Sequence, residues 1–344
     1  MLSTFWVTNR CNMHCKYCYE GTMKSQKSMS IETANSAVEY VLNHFKILND
    51  GLLIINFHGG EPLLEFDLIR HITEKFKDEF RNNNKQVMFG ITTNGVLINE
   101  EIESYLCDNF KYSLSVSIDG EKLTHDKNRI LKGGQGTYDI VIDKFINLLL
   151  KRPDIRARMT FNSSTVFNLF KNVKHLLGLG FNTIAPSPDY FDEKWDEHHM
   201  KILFDQLMKI QNIFNEEKKK NDKILIGMID SIDFKNKGKC SGGTTTIHID
   251  PEGYLYPCTY TVGDENSRLG HINTGIIKDR IIEINKLSEV ENEACKGCSH
   301  YDSCSGTRCK IINKAMTGNY HMPSAVLCSV ENVKYKILKH VKKN

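Results

Sequence analysis

Three thiols crowd into eight residues near the start of the chain, in the run Cys11-Asn12-Met13-His14-Cys15-Lys16-Tyr17-Cys18. Thiols this close together are soft donors suited to zinc or to iron–sulfur chemistry. A structural zinc site closes with four ligands, and no fourth Cys or well-spaced His follows nearby. His14 sits between two candidate ligands and is expected to point into solvent. A [4Fe-4S] cube held by three Cys keeps one iron free for a small molecule, which suits a catalytic cluster better than a structural one. Spacing alone leaves zinc and iron both open.

Those thiols need elements to position them. Residues 2 to 8 read as a β-branched and aromatic strand that runs directly into the Cys loop. Ser30 is placed to cap a helix with Val38, Val41, Leu42 and Phe45 at helical spacing. Leu52 to Phe57 is an apolar strand ending in His58-Gly59-Gly60-Glu61-Pro62, followed by a helical pattern from Asp67 to Phe80. The unit then recurs. Strands are predicted at Val87–Thr93, Tyr112–Ile118, Ile155–Phe161 and Thr183–Ala185, with helices at Glu100–Asn109, Tyr138–Leu150, Phe167–Leu177 and Asp196–Lys220. Six strands alternating with six helices imply right-handed βαβ crossovers and a parallel sheet. Six units fall short of the eight that close a barrel, so the expected fold is α/β, a partial (β/α)6 barrel over residues 1–225.

In such folds ligands bind at the carboxyl ends of strands. The unusual sequences all sit there: the Cys loop, Gly59-Gly60-Glu61-Pro62, Thr92-Thr93-Asn94-Gly95 and Ser115-Val116-Ser117-Ile118-Asp119-Gly120. One composite site is expected from them. Asn94-Gly95 and Asp119-Gly120 also have a plainer reading as strand-ending turns.

After Lys223 the composition changes to short polar stretches, glycines and seven of the eleven cysteines, so a second, small domain is expected over residues 226–344. Asp250-Pro251-Glu252-Gly253 suits the turn of a hairpin, with Cys258 at its exit and His248 on its wet face. A basic tail from Glu331 to Lys343 has helical periodicity. Cys107, among Ile102, Tyr105, Leu106 and Phe110, reads as a buried structural thiol, and Trp6 and Trp195 as packing residues.

The formal charge of +3 over 344 residues is too mild to imply a nucleic-acid or membrane surface, and Lys218-Lys219-Lys220 reads as a solvated helix end. The first residues lack a signal-peptide pattern and no stretch has the length of a membrane span, so the cytoplasm is the expected compartment. Eleven cysteines there point to metal ligation and not to disulfides.

Cys11-x3-Cys15-x2-Cys18, with Tyr17 before the last Cys and Gly-Gly-Glu-Pro after the second strand, resembles the radical S-adenosylmethionine (SAM) superfamily. The resemblance implies that Cys11, Cys15 and Cys18 hold a [4Fe-4S] cluster whose free iron is chelated by SAM, and that one electron cleaves SAM to a 5′-deoxyadenosyl radical. It implies further that Gly59, Gly60 and Glu61 hold the methionine amino group and that Tyr17 packs near the adenine. Ser117 and Arg129 would meet the carboxylate or ribose, with Asn94 as a further pocket residue. The cofactor carries the reactive chemistry and the protein supplies a dry, oriented pocket.

The later cysteines, Cys240-x12-Gly253-x4-Cys258, Cys295-x2-Cys298-x5-Cys304-x4-Cys309 and Cys328, resemble the SPASM extension of peptide-modifying radical SAM enzymes. By that resemblance Cys295, Cys298, Cys304 and Cys328 hold an outer auxiliary [4Fe-4S] cluster, and Cys240, Cys258 and Cys309 an inner one. The family commonly has x3 where this chain has x4 before Cys309. A zinc ribbon is the alternative, since C-x2-C pairs also suit zinc. No fourth inner ligand is visible, which leaves an iron position for a substrate thiolate.

The resemblance therefore implies a cytoplasmic oxidoreductase that matures a ribosomally made, cysteine-rich peptide, with thioether cross-linking as the leading chemistry. Its partners would be the precursor peptide and an electron donor such as flavodoxin or ferredoxin. With no extra domain expected before Cys11, leader recognition would fall to the enzyme surface or to a separate leader-binding protein. One alternative is an oxidase of the sulfatase-maturing type. Such enzymes carry an Asp after the equivalent of Cys258, where this chain has Thr259, a poor general base. Tyr260 and Asp264 are nearby substitutes, and no residue is marked as the catalytic base. A different alternative is a non-catalytic Fe-S carrier or SAM-binding regulator, for which the strand-end motifs have no use.

Overall fold

A computed structural model describes residues 1–19, 26–81, 84–230 and 236–341. The elements follow in order as β1 (Leu2–Thr8), α1 (Ile31–Leu48), β2 (Leu52–Gly59), α2 (Phe66–Phe80), β3 (Gln86–Thr93), α3 (Glu100–Asn109) and β4 (Ser113–Ser117). Next come α4 (Lys122–Asn128), α5 (Tyr138–Lys151), β5 (Arg156–Phe161), α6 (Leu169–Gly178), β6 (Thr183–Pro188), α7 (Glu197–Lys220) and β7 (Leu225–Ile226). The last third holds β8 (Thr246–Ile249), β9 (Tyr254–Tyr256), β10 (Gly270–His271), β11 (Gly275–Ile276), α8 (Lys278–Glu289), α9 (Ser305–Arg308), α10 (Lys310–Thr317) and α11 (Ala325–Val341).

Side-chain caps set several of these boundaries. Ser30 accepts from the Thr33 N–H at 3.1 Å, Asn99 from the Ile102 N–H at 2.9 Å and Asp196 from the His199 N–H at 2.9 Å, each answering an orphan donor of a first helical turn. At the far end of α7, Lys218 donates to the carbonyls of Asp222 and Ile224, so part of the basic run closes its own helix.

The described chain groups into two compact units. The first comprises residues 1–14, the described residues of 20–115, and 240–289. Within it β11, β10, β9, β8, β1, β2 and β3 are neighbours in that order, and β1, β2, β3 and β8 run parallel. Its core is aromatic: Phe5 meets Phe57 at 6.2 Å and the edge of Phe76 at 6.0 Å, all fully buried. The second unit comprises 15–19, the described residues of 116–239, and 290–341. It holds the parallel run β5, β6, β7 and buries Phe145, Phe161, Val173, Leu207 and Ile210. β4 carries the chain from one unit to the other. The strand order is linear, with β11 and β7 at its ends, so the α/β sheet is not closed, as in a partial barrel.

Several expectations need correction. His248 is not on a wet face: it is 4% exposed and its ring meets Trp6 edge-on at 5.8 Å. The cause is that β8 is no isolated hairpin strand but pairs in parallel with β1, through Leu2↔Thr246 to Phe5↔Ile249. Cys107 is only half-buried, because α3 buries Ile102, Glu103 and Leu106 and leaves Cys107 off that line. β6 runs on to Pro188, and α6 begins at Leu169 after a 3-10 turn at Val166–Asn168. α11 begins at Ala325, earlier than its periodicity suggested, and Lys342 and Lys343 lie outside the described residues. α4, β7, β10 and β11 were too short to carry a pattern. No helix among the described residues is long and apolar enough to cross a membrane.

Candidate functional site

In the first unit the loop after β2 is pressed against the loop that carries Cys11. Gly60 N–H donates to Thr8 O at 3.0 Å and Glu61 N–H to Arg10 O at 2.8 Å. A Cβ on Gly59, whose φ is +143°, would lie 2.1 Å from Thr8 O, and one on Gly60 would lie 2.2 Å from Arg10 O. Both positions therefore require glycine. Glu61 is 1% exposed and accepts from the Leu63 N–H at 3.0 Å, the Thr93 hydroxyl at 2.7 Å and the Asn94 N–H at 2.8 Å. Its carboxylate thus ties the end of β2 to the end of β3, and burial pushes its pKa up to about 7 against those donors. Asn94 donates its amide to Asn12 Oδ1 at 2.8 Å, with the same nitrogen 4.0 Å from Cys11 Sγ. Met13 N–H points at Cys11 Sγ from 3.4 Å. Cys11, Gly59, Gly60, Glu61 and Asn94 thus lie together at the ends of β1, β2 and β3.

In the second unit Cys15, Tyr17 and Cys18 lie on a loop tied by Lys16 N–H donating to Asn128 O at 3.0 Å and Cys18 N–H to Cys15 O at 3.1 Å. Tyr17 donates its hydroxyl to Asp119 Oδ2 in a short contact. Asp119, fully buried, also accepts from the Thr160 N–H at 2.9 Å and has Arg129 Nε 3.1 Å from Oδ1. The Arg129 guanidinium lies 5.3 Å over the Tyr17 ring. Burial pushes the Cys15 thiol up to about 11 while Arg129 pulls it back. Burial also pushes Asp119 up, opposed first by Arg129 and then by Tyr17. Ser117 is buried at the end of β4, two residues before Asp119. His14 is exposed. The sequence places Asp119 in the strand-end run Ser115–Gly120 without marking it as a site residue, because its Asp-Gly pair has the look of an ordinary turn; the buried run before it is the available signal.

The later cysteines divide between the units. Cys240 and Cys258 belong to the first, where the Gly242 backbone packs so closely on Pro257 that a Cβ would lie 2.6 Å from its carbonyl oxygen. Gly242 N–H points at Cys240 Sγ from 3.4 Å. Cys309 belongs to the second unit, immediately before α10. So do Cys295, Cys298, Cys304 and Cys328, which sense one another: the Cys295 pKa is raised by burial first and then by Cys328 and Cys298, and that of Cys304 by burial and, more weakly, by Cys295. Gly306 N–H points at Cys304 Sγ from 3.3 Å. Among the described residues no three His, Cys, Asp or Glu side chains are grouped as the shell of a single metal ion. The His58 ring lies 4.5 Å from that of Trp6, tilted by 37°, and Trp195 donates to Asp189 O at 2.9 Å.

The model of the Radical SAM superfamily matches residues 7–148. The chain is 30% identical over 298 residues to the uncharacterized protein MJ0907 of Methanocaldococcus jannaschii, covering 84% of this chain and 92% of that protein. It is 26% identical over 336 residues to a cysteine-type anaerobic sulfatase-maturating enzyme of Clostridium perfringens, covering 88% of each. Among solved structures, native anSMEcpe with bound AdoMet and Kp18Cys peptide superposes with a TM-score of 0.77 at 24% identity, over 100% of this chain and 99% of that one.

Proposed function

The chain belongs to the radical SAM superfamily, and on that premise we propose that it is a peptide maturase acting on a cysteine-rich ribosomal peptide by thioether cross-linking. Membership makes it an enzyme of radical-mediated oxidative modification. The observation that carries the peptide reading is the end-to-end likeness to a sulfatase-maturating enzyme, joined to a set of later cysteines that such a reaction can use.

The residues fit the implied groups. Cys11, Cys15 and Cys18 are soft donors, and the Met13 N–H aimed at Cys11 Sγ suits a ligating thiolate. The Gly59-Gly60 cradle would be filled by a Cβ, and Glu61 beside it offers an acceptor to an ammonium group. Bound SAM and its [4Fe-4S] cluster would supply a carbon radical able to remove hydrogen from the peptide. In this reading Glu61 binds the methionine ammonium, and ionisation of its carboxyl at Oε1 and Oε2 strengthens that hold. Arg129 and Ser117 receive the carboxylate or ribose, Tyr17 flanks the adenine and Asn94 lines the pocket. Asp119 keeps Tyr17 and Arg129 in place through its two oxygens.

Cys295, Cys298, Cys304 and Cys328 form the outer auxiliary ligand set, and Cys240, Cys258 and Cys309 the inner one, with the peptide cysteine docking at the latter. The barrel extends over residues 1–225 and the auxiliary domain over 226–344. The peptide, an external electron donor of flavodoxin or ferredoxin type and a separate leader-binding protein are the partners this reading calls for, in the cytoplasm.

A sulfatase-maturing oxidase is the second reading, favoured by the Clostridium perfringens relative and opposed by Thr259. Anaerobic reduction with SAM tests the enzyme, with 5′-deoxyadenosine as the readout. A cysteine-rich precursor should then lose two hydrogens per cross-link and become refractory to alkylation. Modification of a sulfatase-type cysteine peptide alone would select the second reading.

A further inference from the structure

Lys310 is the first residue of α10 and is 4% exposed. Its ammonium donates to Val290 O at 2.8 Å, to Asn292 Oδ1 in a short contact and, with His321 in its Nε2–H tautomer, to His321 Nδ1 at 3.2 Å. Three acceptors around one nitrogen match an ammonium, which has three N–H bonds; a neutral amine has two. The charge is costly here. It is removed from water, it sits at the positive end of a helix, and among the described residues no carboxylate pairs with it.

Burial lowers the Lys310 pKa and raises that of Cys295, and the attraction between the two opposes both shifts. Asn292, fully buried, joins them. Its amide donates to Gly306 O at 3.2 Å, its side-chain oxygen accepts from Lys310, and its backbone carbonyl accepts from the Cys295 N–H at 2.8 Å. Gly306 N–H in turn points at Cys304 Sγ. One buried chain therefore runs from Lys310 through Asn292 to two of the four outer cysteines.

We propose that Lys310, held by Asn292, is the built-in counter-charge of the outer iron–sulfur cluster and sets its reduction potential, acting as a positioning and tuning residue. This rests on the reading that Cys295, Cys298, Cys304 and Cys328 hold that cluster. Reduction adds one electron, forms and breaks no covalent bond, and makes the thiolate-bound cluster one charge more negative. A fixed cation beside it favours that state and raises the potential.

The test is an anaerobic redox titration of the whole reconstituted protein with dithionite, followed by electron paramagnetic resonance. The outer-cluster signal is identified as the one missing in Cys295→Ala. Lys310→Met, of similar length and no charge, should keep the iron and sulfide content of the parent and move that signal to a more negative potential, with the other signals in place. Lys310→Arg should recover most of the shift. An unchanged potential at full iron content would overturn the proposal. If Lys310→Met fails to retain the cluster, Asn292→Asp decides: a carboxylate against the ammonium should give a shift of the same sign, and no shift overturns the idea. Equal iron and sulfide in Cys295→Ala and the parent would instead remove the cluster reading itself.

Discussion

The hydroxyl of Tyr17 donates to the carboxylate of Asp119, 102 positions later in the chain, and the same carboxylate pairs with Arg129. One buried anion therefore fixes an aromatic ring of the cysteine loop and the guanidinium that lies over it. Removing one member of a buried pair leaves its partner's charge uncompensated. Asp119→Asn is expected to lower stability by about 3 kcal/mol in urea unfolding of the metal-free protein. It should also weaken SAM binding measured by equilibrium dialysis, whereas Tyr17→Phe, which keeps the ring, should cost much less.

Gly60 meets the Arg10 carbonyl so closely that alanine has no room without moving the Cys11 loop. Gly60→Ala is expected to lose roughly four irons per chain and all 5′-deoxyadenosine formation. Gly51→Ala, where nothing lies within 4 Å of the new Cβ, is the control and should load iron normally.

Burial raises Glu61 to about 7 from its ordinary 4.5. The folded state holds that proton more tightly than the unfolded chain, so stability attributable to Glu61 falls as pH rises from about 4.5 to 7. Ionisation in the same window creates the acceptor for an ammonium group. SAM affinity is thus expected to rise as pH increases through about 7, and Glu61→Gln should flatten that rise and remove the opposing trend in stability. Binding isotherms at several pH values decide it.

His248 behaves in the opposite sense. Burial lowers its pKa from 6.5 to about 3, with His58 adding to the effect. The unfolded chain takes up the proton first, so stability falls as pH drops from about 6.5 toward 3. Replacing His248 by Phe should reduce the acid sensitivity seen in thermal unfolding; an unchanged pH slope would mean that His248 is not the group responsible.

Cys295→Ala and Cys328→Ala should each lower iron and sulfide by roughly one four-iron cluster while leaving the fold measured by circular dichroism intact. Zinc found in place of iron would identify a zinc ribbon.

The alternating strands and helices were legible because each carries its own period: α3 runs from Glu100 to Asn109 as its pattern indicated, and Ser30 and Asp196 cap the helices they precede. Gly59, Gly60 and Glu61 were legible as a motif. What the motif does not contain is the close approach of Gly60 to Arg10, which is a distance between segments 50 residues apart. Asp119 and Lys310 were hidden for a related reason. An Asp before Gly and a Lys on a helix are ordinary on a surface, and only burial with specific partners makes them informative. The pattern around His248 is that of a hairpin with one wet face, and β1, which pairs along the edge of β8 and sets Trp6 against the His248 ring, lies at the other end of the sequence.

That same pairing bears on biosynthesis. β1 delivers Cys11, and it is flanked by β2 on one side and by β8 on the other. During synthesis β2 emerges early, but the β8 edge of β1 stays open until residue 249 has left the ribosome. The loop that bears the first three thiols thus matures late, although it is made first. On the proposed reading that this loop holds a cluster, its metal is loaded only after residue 249 has been made, and a product arrested before β8 would expose an unpaired strand edge beside the three thiols.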